Sequence, residues 1–314
     1  MRKAAPGKSH REGISLMELT EMFPDEASAR RWFEGQVWPD GEPVCPKCGS
    51  PDRVKETPNA KPCPYWCGEC RAYFSAKTGT AIERSKVSYR KWVFAIYLET
   101  TSLKSVSSMK LHRDLGVTQT TAWFMAHRLR EAWVREVTEF TGPVEVDETY
   151  FGGRERNRHA KDRKGLGRGP VGKTAVVGAK DRETNRVSAT VVARTDGATL
   201  QGFVRERVKE GATVFTDDAK AYAGLVDFEH ETVRHSVAEY VRGQAHTNGI
   251  ESFWSMLKRA HKGTFHKLSA KHLHRYVREF AGSHNMRDLN TITQMGIIAR
   301  GLVGRRLTYS NLTA

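Results

Sequence analysis

The 314-residue chain carries 51 Lys and Arg against 36 Asp and Glu, a formal net charge of +15. That excess favours a polyanionic partner, and nucleic acid leads over an acidic membrane because the sequence holds no basic amphipathic anchor or lipidation signal. An apolar content of 39% excludes wholesale disorder, the longest apolar run (Trp92 to Leu98) is too short to span a bilayer, and Met1-Arg2-Lys3 does not lead into a secretory apolar segment. All five cysteines lie between 45 and 70, which suits one local site better than a disulfide framework. The expected address is a soluble, reducing compartment, with no membrane partner.

In chain order, residues 1–13 read as a loose polar tail. Leu16, Leu19 and Phe23 mark a short helix stopped by Pro24, and a second runs from Asp25 to Trp38; residues 1–44 form this N-terminal part. Residues 45–80 hold Cys45-Pro46-Lys47-Cys48-Gly49 and Cys67-Gly68-Glu69-Cys70-Arg71. Two Cys-x-x-Cys pairs separated by 18 residues have the spacing of a four-thiolate zinc ribbon, each knuckle carrying a glycine for its turn. Cys45, Cys48, Cys67 and Cys70 are therefore the expected Zn²⁺ ligands, and Cys63, within Pro62-Cys63-Pro64, a bystander.

Residues 81–140 read as helical. A helix from Val87 to Thr101 is followed by Ser105–Leu115, Gly116, and Thr118–Val134, the layout of a helix-turn-helix. Gln119 and Thr120 open its second helix, where base-reading side chains belong, with Thr121 beside them. His127, Arg128 and Arg130 lie further along for phosphates; a plain helical hairpin would share this apolar spacing.

Beyond Thr141-Gly142-Pro143 the texture turns to β. Val144–Phe151, Thr174–Lys180 and Arg186–Arg194 read as strands, the last two joined by a turn over Asp181–Asn185. Between the first two, residues 154–173 hold eight basic and two acidic residues and read as a mobile basic loop suited to phosphate contact. A helix over Ala198–Val208, a strand over Ala212–Asp218, a brief helix through Tyr222 and a strand over Glu231–Val237 follow. Next comes a helix in His246-Thr247-Asn248-Gly249-Ile250-Glu251-Ser252-Phe253-Trp254-Ser255-Met256-Leu257-Lys258. Ile250, Phe253, Trp254 and Leu257 form its apolar stripe, and Asn248, Glu251, Ser255 and Lys258 another face. Helices over Ser269–Gly282 and from Thr291 complete the chain. This order, over 141–290, is that of an α/β ribonuclease H-like fold, with 291–314 as a C-terminal helix and tail. Ligands in such sheets gather at strand ends and helix termini, where Asp147, Asp217 and Glu251 converge. Carboxylates that crowd together require cations, and oxygen ligands without His or Cys favour Mg²⁺ or Mn²⁺. Two such ions activate an attacking oxygen and stabilise the leaving oxygen of a phosphodiester.

Val146–Gly153 (VDETYFGG), Thr216–Tyr222 (TDDAKAY) and His246–Lys258, with the two cysteine knuckles, Lys77–Thr80 and Arg90-Lys91-Trp92, resemble the DDE-type bacterial insertion-sequence transposases, in their zinc-ribbon-bearing, ISXO2-like branch. The resemblance spans about residues 15–290. It implies an enzyme that binds double-stranded DNA, both the ends of its own element and a target. It further implies metal-dependent cleavage and strand transfer in a homo-oligomeric synaptic complex. Asp147 and Asp217 take the two aspartate positions, with Glu148 and Asp218 as their neighbours. Glu251 or Asn248 takes the third, Lys258 contacts DNA phosphate, and His246 lies beside the site or caps the helix. The competing functions are a DNA-binding regulator with a silent ribonuclease H-like domain and a dedicated nuclease.

Overall fold

Each N-terminal helix opens on a residue whose side chain takes up an orphan backbone N–H. Ser15 and Glu18 exchange hydrogen bonds to open α1 (Leu16–Met22), and Asp25 and Ser28 do the same for α2 (Glu26–Val37). The computed structural model describes residues 13–57, 62–133, 139–153, 159, 161, 172–217, 220–233 and 246–314. The chain divides into two units, Met1–Val134 with Met286–Ala314, and Arg135–Asn285.

In the first unit, β1 (Val54–Glu56), β2 (Tyr65–Cys67) and β3 (Ala72–Phe74) form an antiparallel sheet in that order. Tyr65 stacks on Phe74 at 5.5 Å between ring centres, and both meet the edge of Trp38, which closes α2. The small sheet thus borrows its core from the helices before it. α3 (Tyr89–Thr101), capped by Ser88, begins two residues later than the periodicity indicated, and the Glu26 carboxylate of α2 accepts from the backbone N–H groups of Tyr89 and Arg90 at 2.6 and 2.9 Å. α4 (Ser108–Leu115) ends at Gly116, which takes the left-handed conformation (φ 56°), and α5 (Gln119–Arg130) begins at its N-cap Thr118. The C-terminal residues do not stand apart: α9 (Thr291–Gly301) packs on α3, Gly301 lying so close to the Ala132 carbonyl that a Cβ would sit 2.3 Å from it. Tyr309 of α10 (Tyr309–Thr313) meets the ring of Phe124 on α5 at 5.5 Å.

The second unit is a five-stranded sheet. β4 (Val144–Phe151), β5 (Thr174–Asp181) and β6 (Val187–Val192) pair antiparallel; β7 (Thr213–Asp217) runs parallel to β4 and β8 (Glu229–Val233) parallel to β7, giving the order β6-β5-β4-β7-β8. Asp181 accepts from the N–H groups of Glu183 and Thr184, and Asn185 is left-handed, so the expected hairpin turn is made. Strand alternation separates two cores. Val144, Val146, Val177 and Val214 face α6 (Gly197–Arg205). Phe151, Val176 and Val187 face Ile250, Phe253, Trp254 and Leu257 of α7 (Asn248–Ala260) and Val277 and Phe280 of α8 (Leu273–Asn285). β8 lies two residues ahead of the strand read from the sequence, and 234–245, like most of the basic stretch 154–173, fall outside the described residues. Among the described residues no helix is long and apolar enough to cross a membrane.

Candidate functional site

Two groups of like-charged ligands are present, one in each unit. In the ribbon, the sulfurs of Cys45, Cys48, Cys67 and Cys70 all lie within 4.8 Å of one another, with Cys45 to Cys70 at 3.6 Å and Cys48 to Cys67 at 3.5 Å. A tetrahedral Zn²⁺ at about 2.3 Å from each sulfur needs an S···S spacing of about 3.8 Å, so the four thiols could hold one. Their chemistry agrees. Backbone N–H groups at the knuckle pull the Cys67 thiol down to about 7, whereas burial and the neighbouring thiols push Cys70 up to about 12; four thiolates need a cation between them. Cys63 is not a member of the group. The knuckle turns differ from the sequence reading. The residue after the second cysteine is left-handed in both, Gly49 (φ 76°) and Arg71 (φ 49°), so the second knuckle's strained position is an arginine, not Gly68.

The acids of the second unit meet by strand register. β4 and β7 pair with Glu145 opposite Phe215; Asp147 and Asp217 each follow two residues later on their strands, and the charge of Asp217 acts on Asp147. Both lie on the sheet face that α7 covers, and Glu251 stands on the exposed side of α7, its carboxylate accepting from the Thr247 hydroxyl at 3.0 Å. Burial first, then the charges of Glu148, Asp217 and Glu251, raise the Asp147 carboxyl from an ordinary 3.8 to about 7. Glu148 points to the opposite face, where it accepts from the Tyr222 hydroxyl at 2.8 Å, and is raised by burial and by Asp217 but not by Glu251. Asp147 is thus the member of that pair joined electrostatically to Glu251. Asn248 lies exposed in the first turn of the same helix; Asp218 falls outside the described residues. The charges of Asp217 and Glu251 both act on Asp147, and these three acids form the second group. As hard oxygen donors that repel one another, they fit a divalent cation of the Mg²⁺ type.

The sequence reading missed the residues that hold α7 in place. Glu145, 2% exposed, accepts from the Ile250 N–H at 2.8 Å and from Arg182 Nε at 2.8 Å. The Arg182 guanidinium also donates to the His246 carbonyl at 2.6 Å and lies 4.1 Å from the centre of the Phe215 ring. His246 Nδ1 is 3.3 Å from Glu145, so this histidine belongs to the anchor of the helix start. Two glycines make room. A Cβ on Gly249 would lie 2.7 Å from the Glu145 carboxylate, and one on Gly178, opposite Asp147 on β5, would lie 2.6 Å from the Trp254 ring. The available signal was a carboxylate at an interior strand position, on the same face as Asp147.

In the first unit, Gln119 and Thr120 are exposed at the start of α5, and the Gln119 amide donates to Ser108 Oγ at 3.0 Å. Arg128 is a correction: it is 8% exposed, lies 4.0 Å from the centre of the Phe124 ring and donates to the Glu83 carbonyl at 3.2 Å, with burial lowering it to about 10. His127 and Arg130 are buried as well. The last turns of α5 are covered on all sides, so these cations are structural and do not face a duplex. Lys258, by contrast, is exposed on α7 beyond Glu251.

Comparison with known proteins places the chain among the transposases of insertion sequences. Residues 139–282 match the ISXO2-like transposase domain. The chain is 30% identical over 272 residues to a protein of the transposable element ISH50 from Halobacterium salinarum, covering 82% of this chain and 90% of that protein. It is also 30% identical over 108 residues to a transposase-like protein of Haemophilus influenzae, 34% of this chain and 86% of that one. The chain belongs to the ISXO2-like transposase family.

Three outcomes are expected. Arg71→Gly, measured by zinc content and thermal unfolding, keeps one zinc and gains about 1 kcal/mol, while Gly49→Ala loses about as much, since a side chain in the left-handed region costs about 1–2 kcal/mol. Effects of the same sign would mean that the two knuckles are not conformationally equivalent. Glu145→Ala leaves Arg182 buried without its carboxylate and costs on the order of 3–5 kcal/mol in urea unfolding; a loss under 1 kcal/mol would refute the anchor. The third concerns pH. Because folding raises the Asp147 carboxyl to about 7, the folded state keeps a proton that the unfolded chain has shed, and stability without added Mg²⁺ falls as pH rises from about 4 through 7. Asp147→Asn removes that loss, so the variant melts above wild type at pH 8 and the advantage vanishes towards pH 4. A pH-independent difference would contradict it.

Proposed function

We propose that the protein binds the ends of its own insertion sequence and catalyses DNA cleavage and strand transfer there, using Asp147, Asp217 and Glu251 on a ribonuclease H-like sheet. The observation that carries this reading is the parallel pairing of β4 and β7, with Asp147 and Asp217 each two residues past the pair Glu145–Phe215, and the charges of Asp217 and Glu251 both acting on the Asp147 carboxyl. When bound, Mg²⁺ or Mn²⁺ would activate the attacking oxygen and stabilise the leaving one. Asp147, Asp217 and Glu251 would hold the ion, which offsets the repulsion between their charges and the scissile phosphate. Burial of Asp147 keeps water from screening them, and Lys258 holds a neighbouring phosphate. Glu251 is favoured over Asn248 as the third acid because it contributes a charge to Asp147, which an amide cannot.

Recognition of the ends falls to the first unit, with Gln119 and Thr120 reading bases from the start of α5 and the zinc-loaded ribbon adding contacts to the duplex. Holding two element ends for joining to a target calls for more than one copy of the chain, assembled on DNA.

Purified protein is incubated with duplexes carrying its element ends and Mg²⁺. Asp147→Asn and Asp217→Asn should each lower cleavage at least about 100-fold, since metal ligands supply several kcal/mol to the transition state. Binding to the ends, measured in Ca²⁺ or without divalent ion, should hold, because affinity comes mainly from basic residues. Glu251→Gln should join the inactive set and Asn248→Ala should not; the reverse result would transfer the third position to Asn248, and activity in all four variants would remove the catalytic assignment.

A further inference from the structure

The stretch from Ser252 to Arg278 contains seven Lys and Arg, four His and no acidic residue. The structure gives that bias a direction. The apolar residues of the stretch, Leu257, Ala260, Leu268, Leu273 and Tyr276, are buried in the core between α7, α8 and the sheet. Lys258, Arg259, Lys262 and Lys267 are exposed. α7 passes into a short π-helical turn (His261–Phe265) that carries the row on without a break. Among the described residues these four cations form no ion pair, whereas exposed arginines elsewhere in the same unit do: Arg194 with Asp196 at 2.8 Å and Arg205 with Asp227 at 3.0 Å.

We propose that this row is a track for the phosphate backbone of duplex DNA adjoining the point of attack. The proposal rests on the reading that the acids act on DNA and adds where the rest of the duplex lies. Glu251, Ser255, Lys258 and Lys262 recur at helical spacing on one exposed stripe. At about 1.5 Å per residue, Lys258 lies about 10 Å and Lys262 about 16 Å along the helix from Glu251. A duplex advances about 3.4 Å per base step, so Lys258 meets a phosphate about three steps, and Lys262 about five steps, from the scissile one. Lys267, past the left-handed turn at His266 (φ 58°), extends the row beyond that. Carboxylates would repel this backbone, and the stripe beyond Glu251 has none.

The test uses the full chain with Lys262→Ala/Lys267→Ala, leaving Lys258 intact. The control, Arg194→Ala/Lys209→Ala, removes two charges from other parts of the same unit. Binding of an element-end duplex is measured against salt, and cleavage is measured on duplexes extending two, four, six and eight base pairs beyond the cleavage point. For the track variant the slope of log K against log salt should fall by about two, and the rise in cleavage between four and six base pairs, seen in wild type, should vanish. The control should lose neither. An unchanged slope with the length step intact overturns the track, as does an equal loss in the control, which would reduce the effect to net charge. An unfolded variant is recognised by its thermal melt, and Lys262→Arg/Lys267→Arg should then restore slope and step; failure to do so in a folded protein counts against the proposal. If wild type cuts no duplex at any length while the slope still falls by two, the catalytic reading fails and the track stands.

Discussion

One buried carboxylate ties together the three elements that carry the acids. Glu145 sits on β4 two residues before Asp147, receives the Ile250 N–H at the start of α7, and holds Arg182, whose guanidinium covers Phe215 two residues before Asp217. A shift of α7 along the sheet would break a charge-assisted hydrogen bond inside the core, where the loss is largest. The N-cap residue Thr247 makes no capping bond of its own, so the anion at this helix start comes from the sheet. Glu251, one residue past Ile250, inherits its position from that contact.

The same logic recurs in the ribbon on a different ligand set. Four thiols and a cluster of carboxylates each gather groups that cannot all ionise side by side, and burial first, then those neighbours, raise Cys70 and Asp147. Both frames withstand that repulsion with contacts made elsewhere: the stack of Tyr65 and Phe74 on Trp38 beneath the knuckles, and the Glu145 anchor with the Trp254–Gly178 approach beneath the acids. Soft sulfur selects one kind of ion and hard oxygen another, so one chain can hold both without exchange.

Much of this was legible in the sequence because it obeys a short period. The two faces of α7, the paired knuckles and the hairpin at Asp181–Asn185 follow from spacing alone, and Ile250, Phe253, Trp254 and Leu257 are all buried. What differed was decided by packing and backbone conformation rather than by a period. Arg128 reads as an outward cation until Phe124 and the Glu83 carbonyl cover it. The left-handed residue of the second knuckle is Arg71, although Gly68 is the residue a turn would be expected to choose. Which of Asp147 and Glu148 feels the charge of Glu251 follows from the parity of β4, which turns one towards Glu251 and the other towards Tyr222.

That parity also explains the composition of the stretch from His246 to Lys258. His246 serves Arg182 and Glu145, Gly249 admits the Glu145 carboxylate, Ile250 gives it an N–H, and Thr247 steadies Glu251 with its hydroxyl. Phe253, Trp254 and Leu257 seat the helix on β5, where Gly178 is bare so that the indole can lie against the strand beside Asp147. Asn248, Glu251, Ser252, Ser255 and Lys258 are left to face outward. Most of what makes this stretch recognisable as a motif is therefore an address for one helix, because a carboxylate on a helix can complete a site on a sheet only if the helix cannot slide.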